Sequence, residues 1–215
     1  MRNMILFDLD GTLWDTADKT YEIVNKYLKD NGYSYTVEKD VIVNNMGFEF
    51  DVCAERYFPK LNKKDALELL TKIYDYEEEL LKEGIVLGKI FPNVTETIKK
   101  LSEKYLICIV SNCSSKAYIK NFIDSAGVND YVIDYIAASN FFISKAEAIR
   151  KMKDRYQANK IAYIGDTLKD QVSAVDAGGV FVYAKYGFGE DLMSKYSIND
   201  ISELISLTSY IFEEW

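Results

Sequence analysis

The sequence predicts an α/β protein, a doubly wound parallel sheet interrupted once by a helical insert. Three observations lead there. The apolar run Ile5-Leu6-Phe7 passes into Asp8-Leu9-Asp10-Gly11-Thr12-Leu13, the pattern of a fully buried strand that ends in a turn. After Pro92, short apolar runs alternate with amphipathic helical stretches, as stacked βα units require. Between these regions, residues 15–84 read as helix with no convincing strand.

The first strand is expected over 4–9. Strict alternation along it would point Phe7 and Leu9 one way and Asp8 and Asp10 the other. The core resumes with a helix over 94–103 and a strand over 105–110, then a helix over 116–126 and a strand over 135–138. A helix over 146–156, a strand over 160–165, a helix over 169–177 and a strand over 180–184 follow. A last amphipathic helix spans 201–212. The count is five short strands separated by helices, which favours a parallel sheet. In the insert, Asp15 or Thr16 caps a helix through Tyr21, Val24, Tyr27 and Leu28 that stops at Asn31-Gly32. Phe50, Cys53, Ala54 and Tyr57 make a second apolar face. Leu67, Leu70, Ile73, Tyr74, Glu77 and Leu81 make a third, ending near Gly84. The expected domains are 1–14 with 85–215 as the core and 15–84 as a cap.

Composition narrows the function. The 215 residues include 26 basic and 34 acidic side chains, a formal charge of -8. This argues against a nucleic-acid partner, which needs a basic face. An anionic substrate must then be drawn by local positive groups or metal. No apolar run approaches the ~20 residues that span a bilayer, so no membrane association is expected. Cys53, Cys108 and Cys113 lack metal-type spacing and, with no secretion signal, read as free thiols of a cytoplasmic protein. Cys108 lies in an apolar run and reads as core; Cys113 follows a strand end, where a reactive thiol is the less favoured alternative. The chain has no histidine, which excludes histidine triads and histidine metal sites.

Four stations carry the candidate chemistry. Asp8 and Asp10 sit where a strand runs out, the usual ligand position in open α/β sheets. Their mutual repulsion and desolvation would be relieved by a cation, and Mg²⁺ is the common partner of carboxylate with phosphate. Ser111-Asn112 ends an apolar strand and reads either as a phosphate cradle or as a cap for the helix near residue 116. Lys145 opens a helix, where the macrodipole disfavours a cation by some tenths of a kcal/mol, a cost that points to use. Asp166 and Asp170, spaced i, i+4 after Gly165, provide a second acidic cluster for a Mg²⁺ site across adjacent strands. The alternative is a helix cap and a first-turn acid.

In this order, Asp8-Leu9-Asp10-Gly11-Thr12, Ser111, Lys145 and Gly165-Asp166 with Asp170 resemble the motifs of the haloacid dehalogenase superfamily of phosphohydrolases. The similarity runs from residue 4 to about residue 189 and is greatest to the branch like phosphoglycolate phosphatase, with a helical cap. One departure is Ala146, where many members carry proline after the lysine. The resemblance implies a Rossmann-like core and Asp8 as nucleophile, with Asp10 as general acid and base. Gly11, Thr12, Ser111, Asn112 and Lys145 would hold the phosphate. Mg²⁺ would be bound by the Asp8 side chain, the Asp10 backbone carbonyl and Asp166, with Asp170 in or beside that set. The implied partner is a small phosphorylated metabolite, phosphoglycolate-like, with the oligomeric state unspecified.

The acid at position 10 disfavours dehalogenation. Phosphonate cleavage through a cap lysine is disfavoured because Lys19, Lys26 and Lys29 lack an apolar pocket. A sugar-phosphate mutase like β-phosphoglucomutase and a noncatalytic phosphate-binding domain are the alternatives. Gly47-Phe48-Glu49 falls where related caps place a specificity loop. Arg56 reads as a solvated helix residue or a carboxylate contact. Tyr186-Gly187-Phe188-Gly189 reads equally as a site rim or a plain turn.

Overall fold

A computed structural model describes residues 2–139, 143–189 and 192–214. The stretch 140–142, part of the segment that leads to Lys145, lies outside the described residues, as do residues 1, 190–191 and 215 of the expected core.

Strand β1 (Met4–Phe7) is followed by β2 (Trp14–Asp15) and by the helices α1 (Ala17–Asp30), α2 (Lys39–Val43), α3 (Phe50–Tyr57) and α4 (Lys63–Lys82). The chain returns through β3 (Lys89–Ile90). It continues as α5 (Val94–Ser102), β4 (Leu106–Ser111), α6 (Lys116–Ala126), β5 (Asp134–Ala137), α7 (Lys145–Arg155), β6 (Ile161–Gly165), α8 (Leu168–Asp176), β7 (Val180–Ala184), β8 (Tyr196–Ile198) and α9 (Leu204–Glu214).

Six parallel strands pair in the order β5-β4-β1-β6-β7-β8. The chain starts in the middle, builds outward through β4 and β5, then crosses back to β6 on the other side of β1. Such a reversal leaves a crevice at the carboxyl ends of the central strands. Residues of β1 alternate between two cores: Ile5 and Phe7 pack into the one shared with α5, α6, α9 and the inserted helices, and Met4 and Leu6 into the one beneath α7 and α8. Burial on both faces explains why this strand reads as an unbroken apolar run.

Several boundaries differ from the sequence expectation. The first strand ends at Phe7, so Asp8 and Asp10 lie in the following turn, which closes on Leu9 through the Thr12 and Leu13 amides. The main sheet has six strands, not five. Tyr196–Ile198 is only three residues long inside a polar segment, too short to register a period. Trp14–Asp15 and Lys89–Ile90 form an unexpected antiparallel ribbon where the chain leaves and re-enters the core. Helix α2, with five residues, was also too short to show an apolar face. Among the described residues no helix is long and apolar enough to cross a membrane.

Candidate active site

The sheet delivers three side chains to one crevice. Phe7 is level with Ile109 and Ile164, so Asp8 just beyond β1 lies beside Ser111 at the end of β4 and Asp166 just beyond β6. The Asp8 amide donates to the Ile164 carbonyl at 2.8 Å, which holds the turn against β6. Lys145, the first residue of α7, reaches in from the helix that packs on β4 and α8. It is buried, with Nζ 2.6 Å from Asp170 Oδ1 and 3.1 Å from Asp8 Oδ1.

Asp8, Asp166 and Asp170 offer carboxylate oxygens within 4.8 Å of one another, all buried. Three carboxylates facing one ammonium leave two negative charges uncompensated. Burial, then the Asp170 charge, push Asp8 up to about 7 despite the nearby Lys145 and the hydrogen bond from Ser111. The same two causes push Asp166 well above the carboxylate range. Burial alone would lower the Lys145 pKa, but Asp170 and Asp8 outweigh it and hold the ammonium charged. Asp8 Oδ1 is buried, with the Lys145 ammonium at 3.1 Å as its contact. A hard divalent cation fits these residues, since it would cancel the surplus charge and coordinate the buried carboxylate oxygens.

Asp166 is held tightly. Its Oδ1 accepts from Thr12 Oγ1 at 3.2 Å, and its Oδ2 accepts from the Phe188 amide at 2.7 Å and the Gly189 amide at 3.3 Å. Segment 186–189 is therefore part of the site rather than a plain turn. Gly11 has φ +79°, and a Cβ there would lie 2.3 Å from Asp166 Oδ2, so both conformation and space demand glycine. Asp170 has two tasks: Oδ1 pairs with Lys145, while Oδ2 accepts from Thr167 N and Oγ1 in a capping box. Thr167, not Asp166, is the cap of α8. Ser115 likewise caps α6, which frees Ser111 for the crevice.

Asp10 faces the inserted helices. Its Oδ1 accepts from Thr16 Oγ1 at 2.6 Å, Tyr118 OH at 2.8 Å and Trp14 Nε1 at 3.1 Å. Burial raises its pKa and these three donors oppose the rise. Sequence reasoning missed all three donors. Of the two expected cap residues, Thr16 holds the N-cap position of α1 but spends its hydroxyl on Asp10, and Asp15 Oδ1 accepts from the Ala17 amide. Asn112 gives its side-chain N–H to the Gly47 carbonyl at 3.0 Å, tying the loop before α3 to the core; as a phosphate ligand it can offer only what remains. Lys169 pairs with Glu49 and stacks 3.8 Å from the Phe48 ring centre, so the 47–49 loop is pinned at two points. Arg56 donates to Asn45 Oδ1 and lies over Phe48, and is not a free surface cation. Cys53, Cys108 and Cys113 are free and buried; burial pushes the Cys113 thiol far up, which leaves it unreactive.

A family model described as haloacid dehalogenase-like hydrolase matches residues 5–184. The chain belongs to this family. Among similar haloacid dehalogenase-like proteins is the phosphoglycolate phosphatase of Vibrio parahaemolyticus, 23% identical over 96% of both chains. That of Vibrio cholerae is 25% identical over 86% of this chain and 85% of its own. In fold, the crystal structure of a predicted phosphoglycolate phosphatase from Haemophilus somnus superposes with a TM-score of 0.81 at 19% identity, covering 96% of this chain and 98% of its own. The β-phosphoglucomutase of Clostridium difficile reaches 0.75 at 17% identity, covering 100% and 98%.

Proposed function

We propose that this hydrolase is a Mg²⁺-dependent phosphomonoesterase acting on a small phosphorylated metabolite through a phosphoryl group carried on Asp8. The observation that carries the proposal is the buried Asp8 carboxylate, 3.1 Å from Lys145 Nζ and within a three-carboxylate cluster. The phosphoglycolate phosphatases among the relatives support the substrate class.

Asp8 attacks phosphorus, so a carboxylate–phosphorus bond forms as the ester oxygen leaves. Asp10 gives its proton to that oxygen. Three donors converge on Asp10 Oδ1, which assigns the transferable proton to Oδ2. The raised pKa of Asp10 favours the protonated form this step requires. In the second half, water attacks phosphorus, Asp10 takes its proton and Asp8 is released. Lys145 and Ser111 balance charge on the phosphoryl oxygens, helped by the Gly11 and Thr12 amides. Asp8, Asp166 and the Asp10 carbonyl, with Asp170 adjacent, would hold Mg²⁺, which when bound would supply charge neutralisation and orientation of the phosphoryl group. The inserted helices act as a cap over the crevice, latched through Asn112 and Lys169.

The test is phosphate release from a panel of phosphomonoesters with Mg²⁺, with EDTA, and with Mg²⁺ restored. Release that stops with EDTA and returns with Mg²⁺ is expected. Metal-independent release would remove the metal from the proposal. Transfer to a sugar hydroxyl without release would favour a mutase.

A further inference from the structure

Between Asp10 and the inserted helices lies a cavity of about 60 Å³. Its odd member is Glu77. On α4 this residue continues the apolar stripe of Leu70 and Ile73, yet it is a carboxylate with only 5% exposure. Burying it is unfavourable unless the acceptors are satisfied. The partner present is Ser114, whose Oγ donates to Glu77 Oε1 at 2.5 Å. A carboxylate has about four acceptor positions, and one hydroxyl fills one of them.

Of the other donors that line this cavity, Tyr118 OH goes to Asp10 and the Asn112 amide to Gly47, while the lining hydroxyls of Thr20, Tyr57 and Tyr74 carry no charge. Among the described residues that line it, Asp10 and Glu77 are the carboxyl groups, and no lysine or arginine is present. Lys145 is bound to Asp8 and Asp170, and Lys169 to Glu49. The cavity thus offers uncharged hydroxyls and an under-satisfied carboxylate, with no cation. A leaving group with hydroxyls can donate to Glu77 and accept from the lining hydroxyls. A leaving group with a carboxylate would meet the Glu77 carboxylate, ionised above about pH 7, with no lysine or arginine in the lining to offset it.

We propose, building on the phosphomonoesterase assignment, that Glu77 is a specificity-determining residue: the cavity takes an uncharged, hydroxyl-bearing leaving alcohol and rejects a carboxylate-bearing one. Phosphoglycolate, the substrate named for the relatives, is on this account a poor substrate of the present enzyme.

The closing experiment compares matched esters. 2-Hydroxyethyl phosphate and 2-phosphoglycolate differ by a hydroxymethyl against a carboxylate, and glycerol 1-phosphate adds a second hydroxyl. 4-Nitrophenyl phosphate reports phosphomonoesterase activity independently of this recognition. In the wild-type enzyme kcat/KM for the hydroxyl esters should exceed that for 2-phosphoglycolate by at least about tenfold. Glu77→Gln, and separately Glu77→Leu, should shrink that ratio by about tenfold or more. A wild-type preference for 2-phosphoglycolate would overturn the specificity proposal and leave the hydrolase standing, as would a ratio unmoved in both variants. No release from any ester, 4-nitrophenyl phosphate included, would overturn the hydrolase assignment and this inference with it.

Discussion

Glu77 also makes a thermodynamic prediction. Burial raises its pKa from an ordinary 4.5 to about 7; Asp10 across the cavity and the adjacent Glu78 add to the rise, while the Ser114 hydrogen bond opposes it. Below pH 4.5 the carboxyl is protonated in both the folded and the unfolded chain. As pH rises from 4.5 to 7 the unfolded chain ionises first, so the folded state is progressively disfavoured, and above 7 that loss is complete. A rise from 4.5 to about 7 corresponds to about 3 kcal/mol. Glutamine keeps the shape and carries no charge at any pH. Urea unfolding of the wild type and Glu77→Gln in metal-free buffer, at intervals from pH 4.5 to 8, isolates the effect, because the other titrating groups are common to both proteins. The stability of the wild type relative to the variant should fall by about 3 kcal/mol across that range. A difference that stays flat would refute the claim that Glu77 is buried at an unfavourable cost.

Three further outcomes are expected. Asp10→Asn should lower kcat by ~10²–10⁴ on alkyl phosphates but far less on 4-nitrophenyl phosphate, whose leaving oxygen needs no proton; equal losses on both would remove Asp10 as the acid. Thr16→Val deletes a donor that favours ionised Asp10, so the Asp10 pKa rises further and the high-pH limb of kcat/KM should move upward; an unmoved limb would separate Thr16 from the catalytic acid. Lys145→Met leaves Asp8 and Asp170 without their cation and should cost about 3–5 kcal/mol in metal-free urea unfolding, together with phosphate release; retention of both would contradict the ion-pair account.

What the sequence made legible was whatever is local. A strand buried on both faces ends where an acidic side chain interrupts the apolar run, and so Asp8, Asp166 and the end of β4 at Ser111 stand out along the chain. Helices α1, α3 and α4 announced themselves by apolar spacing. Features made by distant residues did not. Tyr118 meets Asp10 across 108 positions, and the Phe188 amide meets Asp166 across 22. Glu77 was visible only as one more residue in an apolar stripe; that a carboxylate occupied it was the signal, and the cavity it faces is made by elements far away in sequence. Capping was ambiguous for a related reason. Ser111 and Asp166 each read either as a site residue or as a cap, whereas Ser115 and Thr167 hold the cap positions, and the backbone dihedrals that decide such cases are not written in residue type.

The most direct test of the central claim is rapid-quench trapping during turnover of a phosphomonoester with Mg²⁺, followed by mass spectrometry of the peptide that carries Asp8. A phosphoryl group on Asp8 that forms and decays within turnover, and is absent along with phosphate release in Asp8→Asn, is the predicted result. Substantial release by the Asp8→Asn protein, or a phosphoryl group on another residue, would contradict the account.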